Sequence, residues 1–403
     1  LLRGLCSQLG IRQSPMKIMA ASARKAIAAA LLDASLASFV ESARNPGDNA
    51  FSIPLSIPEH YHLPASSSSS NNNKEGPHAR LQEKIEHIVE RLRADGTLLG
   101  CQVAVVVKGK LAVEVCAGPI SPYEGDPRMV QGDTLFSSFS CTKAVAATAL
   151  HMLIAEGKAT YTDRVSQHWP AFGCRGKENI TIEDVLSHRA GLSTALPPEF
   201  SLHMMCDFDR MADYLAGCAP EKGFDDGTAR YHYLTFGWLV GKLVQILSGG
   251  MPFGEFVRQR ISEPLGLGKE MVVGIPEKWL LPCWDTSHTE LTRMHANRLA
   301  VIDKVFSLGD SDGDGGEDEI EAILERAQGR AEALLNDSDK QHDKKEHTGT
   351  DSASGLSQSK SLLKGKAWSL DSRLWNAKRV RAACIPAANG HFSARALALF
   401  YSV

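Results

Sequence analysis

Two stretches of this chain cannot build a core, and they confine where folding takes place. Residues 45–79 carry Pro54, Pro58 and Pro64, five consecutive serines from Ser66 to Ser70, and then Asn71 to Asn73. Residues 309–362 open with an acidic, glycine-rich run from Asp310 to Glu319 and close with a charged, serine-rich tract from His342 to Ser361. Such compositions bury too little apolar surface to offset the entropy of ordering their backbone. The first reads as a linker and the second as a mobile insertion. The chain therefore divides into a helical segment at 1–44, a linker at 45–79, and one domain at 80–403 that carries the insertion.

The bulk numbers exclude several classes. A hydrophobic share of 43% supports a large core. A net charge of −3 gives no electrostatic case for nucleic acid or an anionic membrane. No apolar run is long enough for a transmembrane segment. Nine cysteines, none spaced as a CxxC pair, argue against a disulfide framework or a zinc site and for a reducing compartment. The first residue is Leu1, so the true N-terminus is expected elsewhere. A start at Met16, followed by Arg24, Lys25 and many alanines, resembles an organelle transit peptide, a composition a simple amphipathic helix shares. Cytosol, mitochondrion and plastid all stay open.

Within the folded part, periodicity marks the elements. Leu81, Ile85, Ile88, Val89 and Leu92 form one face of a helix that Gly96 is placed to end. Val103 to Val107 and Leu111 to Val115 read as two strands joined through Lys108-Gly109-Lys110. A helix before a hairpin predicts a helix packed on an antiparallel sheet. Further helices are expected over Thr142 to Glu156, from a Thr181/Asp184 capping box to Leu186, over Tyr231 to Leu247, over Phe256 to Ile261, and from near Ser393 up to the last residue, Val403.

The chemistry centres on Ser140-Cys141-Thr142-Lys143, an S-x-x-K tetrad at the head of a helix. Spaced three apart, Ser140 and Lys143 share a helix face, so the amine reaches the hydroxyl. The positive helix end favours a neutral amine and an alkoxide, and a neutral lysine can take the serine proton. An S-x-x-K alone also arises by chance as an N-cap serine before an ordinary helix.

The surroundings give the tetrad its weight. Asp133-Thr134-Leu135-Phe136 before it, Val165 to Pro170 with Gly176-Lys177, Ile180 to His188 with Gly191-Leu192, and Pro264-Leu265-Gly266-Leu267 together resemble the class C β-lactamase-related serine hydrolases. That group includes class C lactamases, D-Ala-D-Ala carboxypeptidases, family VIII esterases and mitochondrial lactamase-like proteins. The resemblance covers roughly 80–308 and 364–403. It implies a β-lactamase/transpeptidase-like α/β (α+β) fold, with a mainly antiparallel sheet flanked by helices plus a helical lobe. It implies serine hydrolysis of an ester, amide or peptide through an acyl-enzyme, with a small-molecule or peptide substrate and no metal or organic cofactor.

In that family a tyrosine shares the proton transfer. Tyr231-His232-Tyr233-Leu234-Thr235-Phe236-Gly237-Trp238 resembles the Y-H-A-x-T-x-G-W form and implies Tyr231, with Tyr233 standing where alanine is usual. A second register makes Tyr233-Leu234-Thr235 the motif. Held near a cationic lysine, such a phenol is expected to have a lowered pKa. The family's third motif, a strand bearing Lys-Thr-Gly or His-x-Gly that helps to form the oxyanion hole, follows a segment like Ala388-Asn389-Gly390-His391 and is not reached by residue 403. On this reading the chain by itself is a poor catalyst, since one oxyanion donor is worth around 10²–10³ in rate.

Two other matches read as coincidence. His347-Thr348-Gly349 lies ahead of the segment it should follow. Asp310, Asp312, Asp314, Gly315 and Glu321 fit a calcium loop, but Glu317 occupies its apolar position and the run is acidic low complexity. His151, His188 and His391 read as packing or capping residues. Leu1 to Cys6 and Met16 to Ala20 resemble the last helices of UbiB-like atypical kinases, which in plant and algal proteins precede a lactamase-like domain. The rival reading is therefore an inactive lactamase-like scaffold or interaction module attached to such a kinase.

Overall fold

The computed structural model describes residues 78–121, 128–276, 369 and 372–403. The expectations for the 1–44 segment, for the linker up to residue 77, for the 309–362 insertion and for both coincidental motifs lie outside those residues.

Helix α1 (Ala79–Ala94) buries Ile85, Val89 and Leu92, the predicted stripe. Ile85 and Val89 meet Val113 and Val115 of the hairpin formed by β1 (Cys101–Val107) and β2 (Lys110–Ala117). The strands are antiparallel, with Val103 opposite Val115 and Val105 opposite Val113. The turn is shorter than expected. Lys108 and Gly109 alone make it, with φ of 51° and 71°, the left-handed pair that suits the strand twist, and Lys110 already pairs with Val107.

After the hairpin come β3 (Phe136–Ser137), α2 (Thr142–Ala155), α3 (Val165–His168), α4 (Ile182–Leu186), α5 (Leu202–Cys206), α6 (Phe208–Gly217), α7 (Thr235–Leu247) and α8 (Phe253–Val257). Then follow β4 (Met271–Val273), α9 (Lys378–Ala382), β5 (Gly390–Phe392) and α10 (Ala394–Phe400). Strand β5 lies between β3 and β4 and is antiparallel to both, with His391 opposite Ser137 and Val272. Helix and antiparallel sheet are thus mixed, as expected.

The core is helical and centred on α2 and α7. Val145, Ala149, Leu150 and Leu153 of α2 pack with Trp238, Val240, Leu243 and Val244 of α7 in one apolar cluster. Fully burying each of these valine and leucine side chains is worth about 1.5–3 kcal/mol. Thr181 and Asp184 form the predicted reciprocal cap of α4: Asp184 N–H donates to Thr181 Oγ1 at 3.2 Å, and Thr181 N–H donates to Asp184 Oδ2 at 3.0 Å. Ser393 caps α10 by accepting from Ala396 N–H at 3.1 Å.

Several boundaries differ from expectation. Helix α7 starts at Thr235, not Tyr231, because Tyr231 to Leu234 are held by contacts outside the helix: the Tyr233 carbonyl accepts from Lys143 Nζ at 2.7 Å. Helix α8 starts at Phe253 and runs on as a π-turn over Arg258–Ser262. Helix α10 ends at Phe400, with Tyr401 and Ser402 in a closing turn. No helix of the described residues is long and apolar enough to cross a membrane.

Candidate functional site

Ser140 lies in the turn between β3 and α2, and the turn is strained. Phe139 before it has φ of 42°, a region that bulky residues avoid at a cost of order 1–3 kcal/mol. Two contacts hold it there. Its ring packs edge-on against Trp375, with centroids 5.6 Å apart. Its carbonyl accepts from Thr142 Oγ1 at 2.6 Å, and Thr142 Oγ1 in turn accepts from Gly390 N–H at 2.8 Å. The elbow is therefore fastened to β5, and Ser140 is left exposed at its tip.

Lys143, three residues after Ser140 in the first turn of α2, is 8% exposed. Its Nζ meets three acceptors: the Tyr233 carbonyl at 2.7 Å, the Ala387 carbonyl at 3.1 Å and Ser140 Oγ at 3.2 Å. Among the described residues no carboxylate forms an ion pair with it. Burial with no compensating negative charge disfavours the ammonium, so the pKa falls from 10.5 to about 7. When the amine is neutral, two N–H groups satisfy the two carbonyls and the lone pair faces Ser140.

Both carbonyls are placed by specific packing. Ala387 belongs to the loop before β5, which buried Asn389 folds: its Oδ1 accepts from Ile385 N–H at 2.9 Å, and its Nδ2 donates to the Val380 carbonyl at 2.9 Å and to the Ala383 carbonyl. The loop reaches Lys143 because Gly237 of α7 has no side chain. A Cβ there would lie 2.2 Å from Ala387 N.

The hydroxyl of Tyr231 donates to Ser140 Oγ at 2.8 Å. The hydroxyl of Tyr233 points elsewhere and donates to the Ser369 carbonyl at 3.3 Å. Of the two registers left open by the sequence, the geometry brings Tyr231 to the serine, while Tyr233 contributes its backbone carbonyl. The expected lowering of the Tyr231 pKa is corrected. Burial of the hydroxyl raises it above 10, and the bond to Ser140 opposes that rise only in part. A lysine with a pKa near 7 is not a standing cation, so it does not favour a phenolate.

The three histidines singled out in the sequence are structural in their contacts. His391 is buried, with Nδ1 against the Asn389 carbonyl at 2.9 Å and Nε2 against Ser137 Oγ at 3.2 Å. His151 touches Tyr161 Oη at 2.9 Å. His188 packs beside Tyr231. Among the described residues there is no group of three or more His, Cys, Asp or Glu side chains placed to hold a metal ion. Sequence reasoning missed Asn389 and the Ala387 carbonyl as parts of the lysine's surroundings. The Ala388-Asn389-Gly390-His391 segment stood out only by resemblance, and a backbone acceptor leaves no mark on a side-chain motif.

The site can thus present an exposed serine hydroxyl with an amine able to be neutral near pH 7 on one side and a protonated phenol on the other. Comparison with known proteins adds the following. The Beta-lactamase family model matches residues 85–403. The chain is 33% identical over 169 residues to the esterase/beta-lactamase LipL of Mycobacterium tuberculosis, covering 41% of this chain and 37% of that protein. It is 28% identical over 201 residues to an N-acetylmuramyl-L-alanine amidase of Bacillus subtilis, covering 46% and 44% respectively. The chain thus spans less than half the length of either relative. A penicillin-binding protein homologue from Caulobacter crescentus superposes with a TM-score of 0.54 at 27% identity, over 78% of this chain and 67% of that one. A family VIII carboxylesterase gives a TM-score of 0.55 at 22% identity, over 81% and 69%, a likeness of fold.

Proposed function

The chain belongs to the Beta-lactamase family, and from that premise we propose that Ser140, Lys143 and Tyr231 hydrolyse an ester, amide or peptide through an acyl-enzyme. The fold is β-lactamase/transpeptidase-like. The observation that carries the proposal is the set of partners of Lys143 Nζ, two fixed carbonyls and Ser140 Oγ, around a buried amine whose pKa falls to about 7.

The steps follow from those positions. Neutral Lys143 takes the Oγ proton as Oγ attacks the substrate carbonyl. The carbonyl π-bond opens to an oxyanion as the C–Oγ bond forms. Tyr231, protonated and on Oγ, passes a proton to the leaving oxygen or nitrogen as the scissile bond breaks, and the Lys143 ammonium restores the phenol proton. Water then attacks the acyl carbonyl, giving a proton to Lys143, and the C–Oγ bond breaks as the oxyanion collapses and the Lys143 ammonium returns that proton to Oγ. The raised phenol pKa suits this role, because Tyr231 acts from its neutral form as donor and relay.

A panel of small p-nitrophenyl esters and a chromogenic β-lactam tests the reading on the full chain. Slow turnover that disappears in Ser140→Ala is expected. Turnover that persists in Ser140→Ala contradicts the assignment. Folded protein with no turnover and no acylation of any panel member favours the scaffold or interaction-module reading, in which a UbiB-like kinase precedes this domain.

A further inference from the structure

Tyr231 sits in a short non-helical stretch, and one residue holds that stretch from both sides. Arg230 N–H donates to the His188 carbonyl at 2.9 Å. His232 N–H donates to His188 Nδ1 at 3.2 Å. The two backbone donors flanking Tyr231 therefore end on the same residue, one on its backbone and one on its ring. That ring also packs against the Tyr231 ring, with centroids 5.0 Å apart, and against Phe236 of α7 at 4.8 Å.

His188 reaches this position at a conformational cost. Its φ is 63°, left-handed backbone that side chains seldom adopt, histidine, asparagine and aspartate more readily than the rest. A strained residue that no step of the proposed mechanism uses calls for another role. His232 closes the clasp from the other direction. Its Nδ1 donates to the Arg230 carbonyl at 2.6 Å and its Nε2 accepts from Leu192 N–H at 3.1 Å, so both ring nitrogens are committed and the ring is neutral. Thr235 Oγ1 adds a bond to the Leu192 carbonyl at 2.8 Å. The 188–192 loop and the 230–235 stretch are thus laced together around the tyrosine.

We propose that His188 is a positioning residue for Tyr231, setting through its Nδ1 acceptor and its ring face where the phenol hydroxyl stands relative to Ser140. The proposal rests on the functional reading of Ser140 and Tyr231 above. An Nδ1 that accepts from a backbone N–H must be unprotonated, and burial lowers the His188 pKa to about 4, so the acceptor is in place at neutral pH. The imidazole touches no reacting atom. It acts by keeping the hydroxyl in register, and a misplacement of about 1 Å in such a group costs roughly 10²-fold in rate.

The test separates positioning from folding. Acylation of the full chain by a fluorophosphonate is followed for wild type, His188→Ala, His188→Asn, Tyr231→Phe and the doubles His188→Ala/Tyr231→Phe and His188→Asn/Tyr231→Phe, each checked for folding by circular dichroism. His188→Ala is expected to slow acylation by about 10²-fold at unchanged reagent affinity. Asparagine retains an acceptor and tolerates the left-handed backbone, so His188→Asn is expected to recover part of that loss. In the Tyr231→Phe background both His188 substitutions should add less than about twofold, since residues acting through one group are not additive. Equal losses with and without the Tyr231 hydroxyl overturn the proposal, as does an unchanged rate in His188→Asn and His188→Ala. If His188→Ala fails to fold, His188→Asn alone decides by the same non-additivity. A wild type that is not acylated at all overturns the functional reading and this proposal with it, an outcome distinct from a labelled wild type indifferent to His188.

Discussion

At the residue scale one buried amine is kept from being charged, and the chemistry of the site depends on it. Lys143 is buried with no counter-ion among the described residues, so desolvation lowers its pKa to about 7. The sign follows directly. Below pH 7 Nζ carries a proton and cannot accept another; above it the lone pair is free. Acylation of Ser140 should therefore rise with pH through a single limb near 7 and then level off, since burial raises the Tyr231 pKa from its ordinary value and keeps the phenol protonated across that range. Lys143→Met should lower the acylation rate by about 10²–10⁴-fold across that range. A stopped-flow pH profile checks both statements, and a flat profile from pH 5 to 9 would remove Lys143 from the role of base. The serine and the lysine were legible as a spacing. A neutral amine was expected from the helix end, but the burial that lowers its pKa was not legible, because residues as far as 90 and 244 positions away enclose it.

At the scale of elements, several helices were visible in advance: the stripe of α1, the reciprocal cap of α4 and the start of α10 near Ser393 all form. Helices α5 and α6 were missed, although Ser201 and Asp207 cap them by accepting from Met204 and Arg210 N–H. Helix α5 has five residues, too few to display a period. Helix α6 has ten and does display one, with Met211, Ala212, Leu215 and Ala216 buried on one face, so it was legible and was overlooked. Strands β3, β4 and β5 are two or three residues long, too short to alternate, and are specified by tertiary pairing. Gly237→Ala would place a methyl 2.2 Å from Ala387 N, so α7 and the Ala387 loop must part and the carbonyl must leave Lys143. A loss of about 1–3 kcal/mol in stability is expected from such overpacking, together with slowed acylation. As a control, Thr181→Ala removes a remote cap worth about 1 kcal/mol and should lower the thermal midpoint with acylation unchanged. Equal effects of the two on acylation would break the link between the Ala387 carbonyl and the lysine.

At the scale of the molecule, the site is assembled across the stretch whose composition argued for an insertion. Ser140, Lys143 and Tyr231 precede it; Trp375, Ala387 and Asn389 follow it. The flanks meet directly, since β4 pairs with β5 and Ile275 N–H donates to the Arg381 carbonyl at 2.8 Å. Arg395 of α10 ties the same region by a two-pronged bond to Glu270, at 2.8 and 2.6 Å. Loop-closure entropy grows slowly with length, so this meeting is insensitive to what lies between. Replacing residues 309–362 with a short Gly/Ser linker should leave the thermal midpoint within a few degrees and the acylation rate within about twofold. A large drop, or a calcium-dependent rise in the midpoint of the intact chain, would show that the acidic run at Asp310 to Glu321 carries structure.

The most direct measurement on the central claim is where a covalent inhibitor lands. The full chain is incubated with a fluorophosphonate and, separately, with a penicillin, and the adduct is mapped by peptide mass spectrometry. A single adduct on Ser140, formed faster at pH 8 than at pH 6 and absent in Ser140→Ala, is the result predicted. An adduct on another residue, or one that still forms in Ser140→Ala, would contradict the account.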